Sequence, residues 1–515
     1  MNRFTTTGVI GLALIASTTQ SALAKKSKKV DSPNVIIINI DDLGYGCLSS
    51  FGATKVSTPN IDRLAHEGRI FTDMHSASAA STASRYSLLT GEYPFRENIF
   101  DIAGYKTPLL IDQNKTTIAD VMQRSGYATA VFGKWHLGFT EGKPNWNEDL
   151  KPGPLELGFD KYYGIPCVNS GPPFVFVEDY NVVGFDPSDP FVEGVMPETK
   201  LYPAKKVSTN IGGAKAAHAL YDDEMLGTTW TEKSIEWIKE HKKEKFFLYL
   251  ATTNIHNPIT PHPRFHGTSD CGIYGDFIHE LDWMVGEILN TLEKEKLSDN
   301  TMVIFTSDNG AMLNIYGFEA MEMGLRINGE LFGFKFDSWE GGHRVPMLVR
   351  WPNVIEAGSV SKQLISNVDL LHTMAALVGY ELQEGEGLDS YNMLPALLGT
   401  SEEEIREDLL CCSRKKGNYA YRRGDYVYIT QRGGGGFNTS EPGSAGFGGA
   451  YAAGYFGREN SDMKDGAYIK GAPDSQLYDL RNDLQQTTNL VMSNSDLAAE
   501  MKSGFQAIMK SNSTR

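Results

Sequence analysis

Four short runs of this chain are apolar at almost every position, which places them inside a sheet covered on both faces. They are Asn34 to Ile40, Gly126 to Phe132, Phe246 to Ala251 and Thr301 to Thr306. Each stops abruptly on polar side chains. The first runs into Asp41-Asp42-Leu43-Gly44, the second into Gly133-Lys134-Trp135-His136-Leu137-Gly138. The third meets Thr252-Thr253-Asn254-Ile255-His256, and the fourth Ser307-Asp308-Asn309-Gly310. In open α/β sheets ligands gather at the carboxyl ends of strands, so these polar ends are the candidate site. Two adjacent carboxylates at the end of a buried strand repel each other unless a cation lies between them. Carboxylate and amide oxygens are hard ligands, which suits calcium or magnesium. A helix cap or a solvated loop is the alternative for Asp41-Asp42, and a hairpin turn for Asn309-Gly310, although no second strand follows at once. Lys134 and His136 alternate with Trp135, so both point to one side if the backbone stays extended. A surface turn with a snorkelling lysine is the other reading.

Helical signals fall between these runs. Thr58 to Ala65 has Pro59 at its start, and residues 116–124 are amphipathic. Residues 223–240 carry Ile235, Trp237 and Ile238, and residues 274–294 carry Phe277, Leu281, Val285 and Ile288 at helical spacing. Met347-Leu348-Val349 reads as a further strand. Residues 140–220 are poor in pattern and rich in Pro, Gly, Asp and aromatics. They read as long loops over the sheet, with aromatic rings available to stack on sugars. From Ser401 the character changes to an acidic stretch and short strands. A flexible glycine-rich loop from Gly433 to Gly457 and a terminal helix follow. The expected division is a leader at 1–24, a main domain at 25–400 and a C-terminal subdomain at 401–515.

The leader has Arg3, an apolar stretch from Gly8 to Ala16 too short to span a bilayer, and Ala22-Leu23-Ala24 as a cleavage site. It predicts a secreted or periplasmic protein without a stable membrane anchor. A formal net charge of −16 over 515 residues argues against nucleic acid as a partner. An anionic substrate would then be held by a local cluster of cations. The five cysteines are odd in number and resemble no zinc motif; one disulfide bridge remains open.

One further stretch has unusual chemistry. Residues 76–91 read S-A-S-A-A-S-T-A-S-R-Y-S-L-L-T-G, small and polar until Arg85. A helix starting here offers its N-terminal N–H groups to an anion and puts Ser81 and Arg85, four residues apart, on one face. The same residues also suit a plain helix cap. Ser81, Ala83, Ser84 and Arg85, followed by Leu89-Thr90-Gly91, resemble the modification motif of the type I sulfatases, in which Cys or Ser is oxidised to Cα-formylglycine. Blocks elsewhere resemble the same family in the same order. They are D-D-L-G at 41–44, G-K-W-H-L-G at 133–138, His256, S-D-N-G at 307–310, and Lys335 ahead of E-G-G-H-R-V-P at 340–346. L-Y-D-L-R-N-D at 477–483 is similar to the family's closing segment.

The resemblance implies the alkaline-phosphatase-like α/β fold: a mixed sheet sandwiched by helices, with a smaller C-terminal subdomain carrying an antiparallel sheet. It implies Ca²⁺ held by Asp41, Asp42, Asp308 and Asn309 together with modified Ser81. Arg85 and Lys134 match the cations that support the formylglycine and the sulfate, and His136 the group that helps expel sulfate. His256 and Lys335 match residues at the bridging oxygen, His256 being the leaving-group acid. The substrate class is a sulfated carbohydrate, and the partner is a serine-type maturase. Ser81 in place of the commoner Cys, and Ala83 in place of Pro, fit a prokaryotic enzyme. A phosphoester or phosphonate hydrolase of the same superfamily is the enzymatic alternative. A non-catalytic binder of sulfated glycan follows if Ser81 is not oxidised.

Overall fold

Alternation along the buried runs determines the layers. The computed structural model of the chain describes Met1 and residues 32–200, 210–436 and 449–515. The ten strands of its main sheet, in chain order, are β1 (Asn34–Ile40), β2 (Arg69–Phe71), β3 (Ala128–Lys134), β4 (Lys161–Ile165), β5 (Val177–Glu178), β6 (Asn181–Val182), β7 (Phe246–Ala251), β8 (Thr301–Ser307), β9 (Met347–Arg350) and β10 (Ser359–Ser361). Their spatial order is β10-β2-β9-β8-β1-β7-β3-β4-β5-β6. The middle block β8-β1-β7-β3-β4 is parallel, and β9 and β5 run antiparallel on either side of it.

Successive side chains point to opposite faces of a strand. Val35 and Ile37 of β1 therefore join Val131, Phe247, Tyr249 and Ile304 in one core, while Ile36 and Ile38 join Phe132, Leu248, Leu250 and Phe305 in another. Helices cover both faces. In chain order these are α1 (Pro59–His66), α2 (Ser81–Thr90), α3 (Ile118–Arg124), α4 (Leu226–Glu240), α5 (Gly272–Lys294) and α6 (Leu370–Val378). Helices α2, α3 and α6 pack into the first core, and α1, α4 and α5 into the second. This is the mixed sheet between helices that the sequence predicts.

The reading of 140–220 as loops needs correction. Among its described residues it supplies β4, which extends the parallel sheet, and the β5–β6 hairpin. A wider sheet needs covering, and the aromatics of this region do it. Trp146, Phe159, Tyr162, Phe174 and Phe176 are buried, and the Phe159 ring stacks on Phe247. These rings belong to the core and are not available to a sugar.

Beyond residue 401 lies a four-stranded antiparallel sheet of β11 (Asp408–Cys412), β12 (Tyr419–Arg423), β13 (Tyr426–Ile429) and β14 (Gln476–Asp479), with helix α7 (Ser495–Lys510) at the end. Pro33–Arg515 form one compact unit. The small sheet also touches the segment ahead of α2. Cys412 N–H donates to Ala77 C=O at 2.9 Å, and Ala79 N–H donates to Cys412 C=O at 2.8 Å, so β11 braces the segment leading into α2. The glycine run is not simply a free loop. A Cβ on Gly434 would lie 2.4 Å from Asp337 Oδ1, and Gly449–Tyr455 form a helix. Residues 437–448 and the leader at 1–24, apart from Met1, lie outside the described residues. All five cysteines are buried and free, so none bridges another. Among the described residues no helix is long and apolar enough to cross a membrane.

Candidate active site

Register brings the polar strand ends together. Ile40 of β1 pairs with Ser307 of β8, so the residues that follow, Asp41 and Asp308, emerge side by side. Ala251 of β7 pairs with both Asn39 and Gly133, which carries Lys134 to the same edge. Two backbone bonds fix the turn: Asp308 N–H donates to Ile40 C=O at 2.9 Å, and Asp41 N–H to Asn254 C=O at 3.1 Å. No hairpin forms at Asn309-Gly310, and Asp41 and Asp42 are buried, not solvated.

Helix α2 delivers the next residues. Its N-cap is Ala80, with no side-chain capping bond, so the Ser/Thr run is not there to cap. Every residue of α2 is buried; Ser87 and Thr90 donate back to the Ala83 and Tyr86 carbonyls and Ser84 bonds Ser76 and Asn367, while Ser81, Thr82 and Arg85 face the strand ends. Gly91 ends the helix at φ 66°, a left-handed position that suits glycine and explains the L-T-G stop. Arg85 donates through Nε (3.1 Å) and Nη2 (2.7 Å) to Asp308 Oδ2 and through Nη1 to Lys134 C=O at 3.0 Å.

Around this axis the remaining groups close in. Lys134 Nζ lies 2.7 Å from Asp41 Oδ2, and Lys335 Nζ 2.5 Å from Asp42 Oδ1. Asn309 Nδ2 donates to Asp42 Oδ1 at 2.8 Å, and His256 Nε2 sits 3.9 Å from Asp42 Oδ2. Three oxygens in this buried cluster have no hydrogen-bond partner: Asp41 Oδ1, Asp42 Oδ2 and Asn309 Oδ1. Buried acceptors are rarely left this way. Asp41, Asp42 and His256 also offer donor atoms within 4.8 Å of one another.

The electrostatics match the geometry. Burial pushes the Asp41 carboxyl up, but Lys134, His256 and Arg85 outweigh it and hold the group below its usual range. Burial and the neighbouring Asp41 charge push Asp308 up against the pull of Arg85. A carboxylate raised by its own neighbour is one that a cation would relieve. Burial outweighs Asp41 and lowers Lys134. For Lys335, Asp42 and Asp41 overcome burial and raise it. Burial, then Lys134 and Arg85, hold His136 well below the usual imidazole range; burial brings His256 down to about 4, with Lys335 adding to it.

Ser81 Oγ lies 3.3 Å from His136 Nδ1. The backbone turns at His136 (φ 62°), so Lys134 and His136 reach one site without the extended alternation. A Ser-His-Asp arrangement would need a carboxylate on the far imidazole nitrogen. His136 Nε2 instead faces Thr82 Oγ1 at 3.3 Å. Sequence reasoning missed two groups. Asn169 Oδ1 lies 2.9 Å from His256 Nδ1 and sets that ring's orientation, yet it comes from the patternless 140–220 region and carries no signal. Thr82 lies within the motif, but nothing marked it as a partner of His136.

Known proteins share this sequence and fold. The family model described as Sulfatase matches residues 33–380. An N-acetylgalactosamine-6-O-sulfatase of Bacteroides thetaiotaomicron is 39% identical over 452 residues, covering 81% of this chain and 86% of the relative. The human N-acetylgalactosamine-6-sulfatase is 33% identical over 382 residues, covering 71% of this chain and 66% of its own. A solved structure from work on glycosaminoglycan metabolism by Bacteroides thetaiotaomicron superposes with a TM-score of 0.79 at 34% identity, over 93% of this chain and 99% of the other. With the family's blocks gathered at one strand edge, the chain belongs to the sulfatase family and is a sulfuric ester hydrolase.

Proposed function

We propose that the chain removes 6-O-sulfate from N-acetylgalactosamine units of sulfated polysaccharide or its oligosaccharides. In this reading Ser81, oxidised to formylglycine, is the nucleophile, and Ca²⁺ is held by Asp41, Asp42, Asp308 and Asn309 with residue 81. The three unpartnered oxygens among those side chains carry the reading. All are hard oxygen donors, and burial and the Asp41 charge push Asp308 up, so the residues fit a divalent ion. Bound there, calcium would act as a Lewis acid on a sulfate oxygen. The 6-O-sulfate position is drawn from the two relatives named above.

The chain's own residues supply the rest. Arg85, Lys134 and Lys335 form the cationic wall that holds sulfate oxygens and stabilises charge as the S–O bond breaks. A serine hydroxyl is a weak nucleophile; the hydrated aldehyde made from it offers one hydroxyl for attack and a second to drive release of sulfate. His136, neutral beside residue 81, is placed to take a proton from it. His256, steadied by Asn169, gives its proton to the departing sugar oxygen. An anionic sulfate ester opposes the downward shift of His256, so substrate binding favours uptake of that proton from solvent at Nε2. In this reading the enzyme works outside the cytoplasm after maturation by a serine-type formylglycine-generating system, which the leader sequence and the substrate class support.

The test is the mass of the peptide containing Ser81 alongside sulfate release from 6-O- and 4-O-sulfated N-acetylgalactosamine oligosaccharides. Release from the 6-O-sulfated substrate should rise with the fraction of peptide lighter by two hydrogens. Full activity without that mass change overturns the nucleophile, and preference for 4-O-sulfate overturns the position. Binding without turnover in a fully oxidised preparation would leave a glycan binder.

A further inference from the structure

A second buried cluster lies where the C-terminal sheet meets the main domain, and the sulfatase chemistry does not use it. His75 follows β2, His343 lies in the E-G-G-H-R segment, and Cys411 is on β11. His75, His343 and Cys411 are all 2% exposed or less. His Nδ1 or Nε2 and Cys Sγ atoms of the three lie within 4.8 Å of one another. Glu340, 1% exposed, offers a carboxylate oxygen within 4.8 Å of a ring nitrogen of His75 and of an oxygen of Asp73.

Hydrogen-bond accounting shows something missing. His75 Nε2 lies 2.9 Å from Asp73 Oδ1, and a carboxylate only accepts, so that nitrogen carries hydrogen. His343 Nε2 lies 3.1 Å from the Ser338 carbonyl and carries hydrogen for the same reason. In its neutral form each ring therefore turns a lone pair on Nδ1 toward the other, and the two Nδ1 atoms are 3.0 Å apart. Facing lone pairs at that distance repel unless a positive charge sits between them. A carboxylate or carbonyl on the far nitrogen is also how metal-bound histidines are oriented.

We propose that His75 Nδ1, His343 Nδ1, the Cys411 thiolate and Glu340 bind a zinc ion at this junction. Two imidazole nitrogens, one sulfur and one carboxylate form the four-ligand set zinc prefers. Two nitrogens on tetrahedral zinc lie roughly 3.3 Å apart given Zn–N bonds of 2.0–2.1 Å, so the rings need to part by only a few tenths of an ångström. Zinc entry displaces the Cys411 thiol proton to solvent, leaving thiolate on the metal. The surrounding Asp73, Glu340, Arg344 and Arg422 cancel in formal charge. Zinc with one thiolate therefore leaves the same single positive charge as a proton shared between the rings. A cavity of about 380 Å³ reaches Asp73 and Arg422, which border the cluster. The ion would tie β11, which braces the approach to Ser81, to the main domain.

The full chain, dialysed into chelator-free calcium buffer, is incubated with zinc, passed through a desalting column and analysed for metal. One zinc per chain is expected in addition to calcium, with at least a tenfold drop in zinc retained by both His343→Gln and Cys411→Ser. Cobalt in place of zinc should give a near-ultraviolet thiolate charge-transfer band that Cys411→Ser lacks. Should His343→Gln fail to fold, the wild-type cobalt spectrum and the near-isosteric Cys411→Ser still decide. Wild-type protein that retains no zinc, or Cys411→Ser that retains as much, overturns the proposal and leaves a proton between the rings.

Discussion

Two buried arginine–aspartate pairs in this molecule look alike and do opposite things. Arg406, ahead of β11, spends all five N–H groups: Nε (3.1 Å) and Nη2 (2.6 Å) on the two oxygens of Asp369, Nη2 again on Asp389 C=O (2.7 Å), and Nη1 on Tyr93 Oη and Asp408 C=O (both 3.0 Å). Asp369 is equally complete, since Ser366 and Tyr391 N–H groups, each at 2.9 Å, take its remaining lone pairs. The Arg85–Asp308 pair sits in a cluster where Asp41, Asp42 and Asn309 each keep an oxygen without a partner. A closed network can only hold the fold together. An open one leaves buried acceptors for a further ligand, and the proposed chemistry is located there.

The comparison predicts that damage will separate cleanly. Ser81→Ala should lower sulfate release by on the order of a millionfold, the scale seen when a nucleophile is removed. Its denaturation midpoint should move by less than about 1 kcal/mol, because the side chain is small and hydrogen-bonds chiefly to His136. A large loss of stability would mean the open site also carries the fold. Arg406→Leu should do the reverse, costing about 3–5 kcal/mol by leaving Asp369 buried and unpaired. Urea unfolding measures that loss, and the folded fraction should keep wild-type kcat/KM. A kinetic defect in that fraction would break the contrast.

Metal removal sharpens it. With calcium at 100 times its Kd, linkage adds about 2.7 kcal/mol to stability. Chelation should remove that increment together with activity, and calcium, not monovalent salt, should restore both. In Asp42→Asn the calcium-dependent increment should shrink, since one anionic ligand is gone. An unchanged increment would place the ion elsewhere.

How much of this the sequence revealed depends on range. The four buried runs were legible because period and composition act locally, and their polar ends could be read as a site because parallel strands share an edge. The Ser81 helix could be read from its motif, though its cap is the featureless Ala80. β4 was missed because Lys-Tyr-Tyr-Gly-Ile shows no alternation, and its strand character comes from pairing with β3. Asn169 was invisible for the same reason: only the folded chain brings it to His256, 87 residues away. His75, His343 and Cys411 are separated by 268 residues between the histidines alone, and no spacing rule reaches that far.

A third kind of buried carboxylate gives the most exact sign. Glu280 of α5 lies against Gly227 of α4, where a Cβ would be 2.7 Å from its Oε1. It is 1% exposed and accepts from Asn254 Nδ2 at 3.2 Å, while its Oε1 has no partner. Burial outweighs the His262 backbone N–H, Asn254 and the charge of Arg264 and pushes its pKa up to about 8 from 4.5. The Asp41 cluster meets burial with lysines and arginine; Glu280 meets it by keeping its proton. Between pH 4.5 and about 8 the folded chain holds that proton and the unfolded chain does not, so this group's contribution falls as pH rises and levels off above pH 8. The expected slope is at most about 1.4 kcal/mol per pH unit. Glu280→Gln keeps the shape and the bond from Asn254 but cannot ionise. The stability difference between variant and wild type should therefore grow in favour of the variant across that window and then stay flat. Urea midpoints measured from pH 5 to 9 give the curve. A difference that does not change with pH would show that Glu280 is already charged, with its demand met by water or by a partner it recruits on folding.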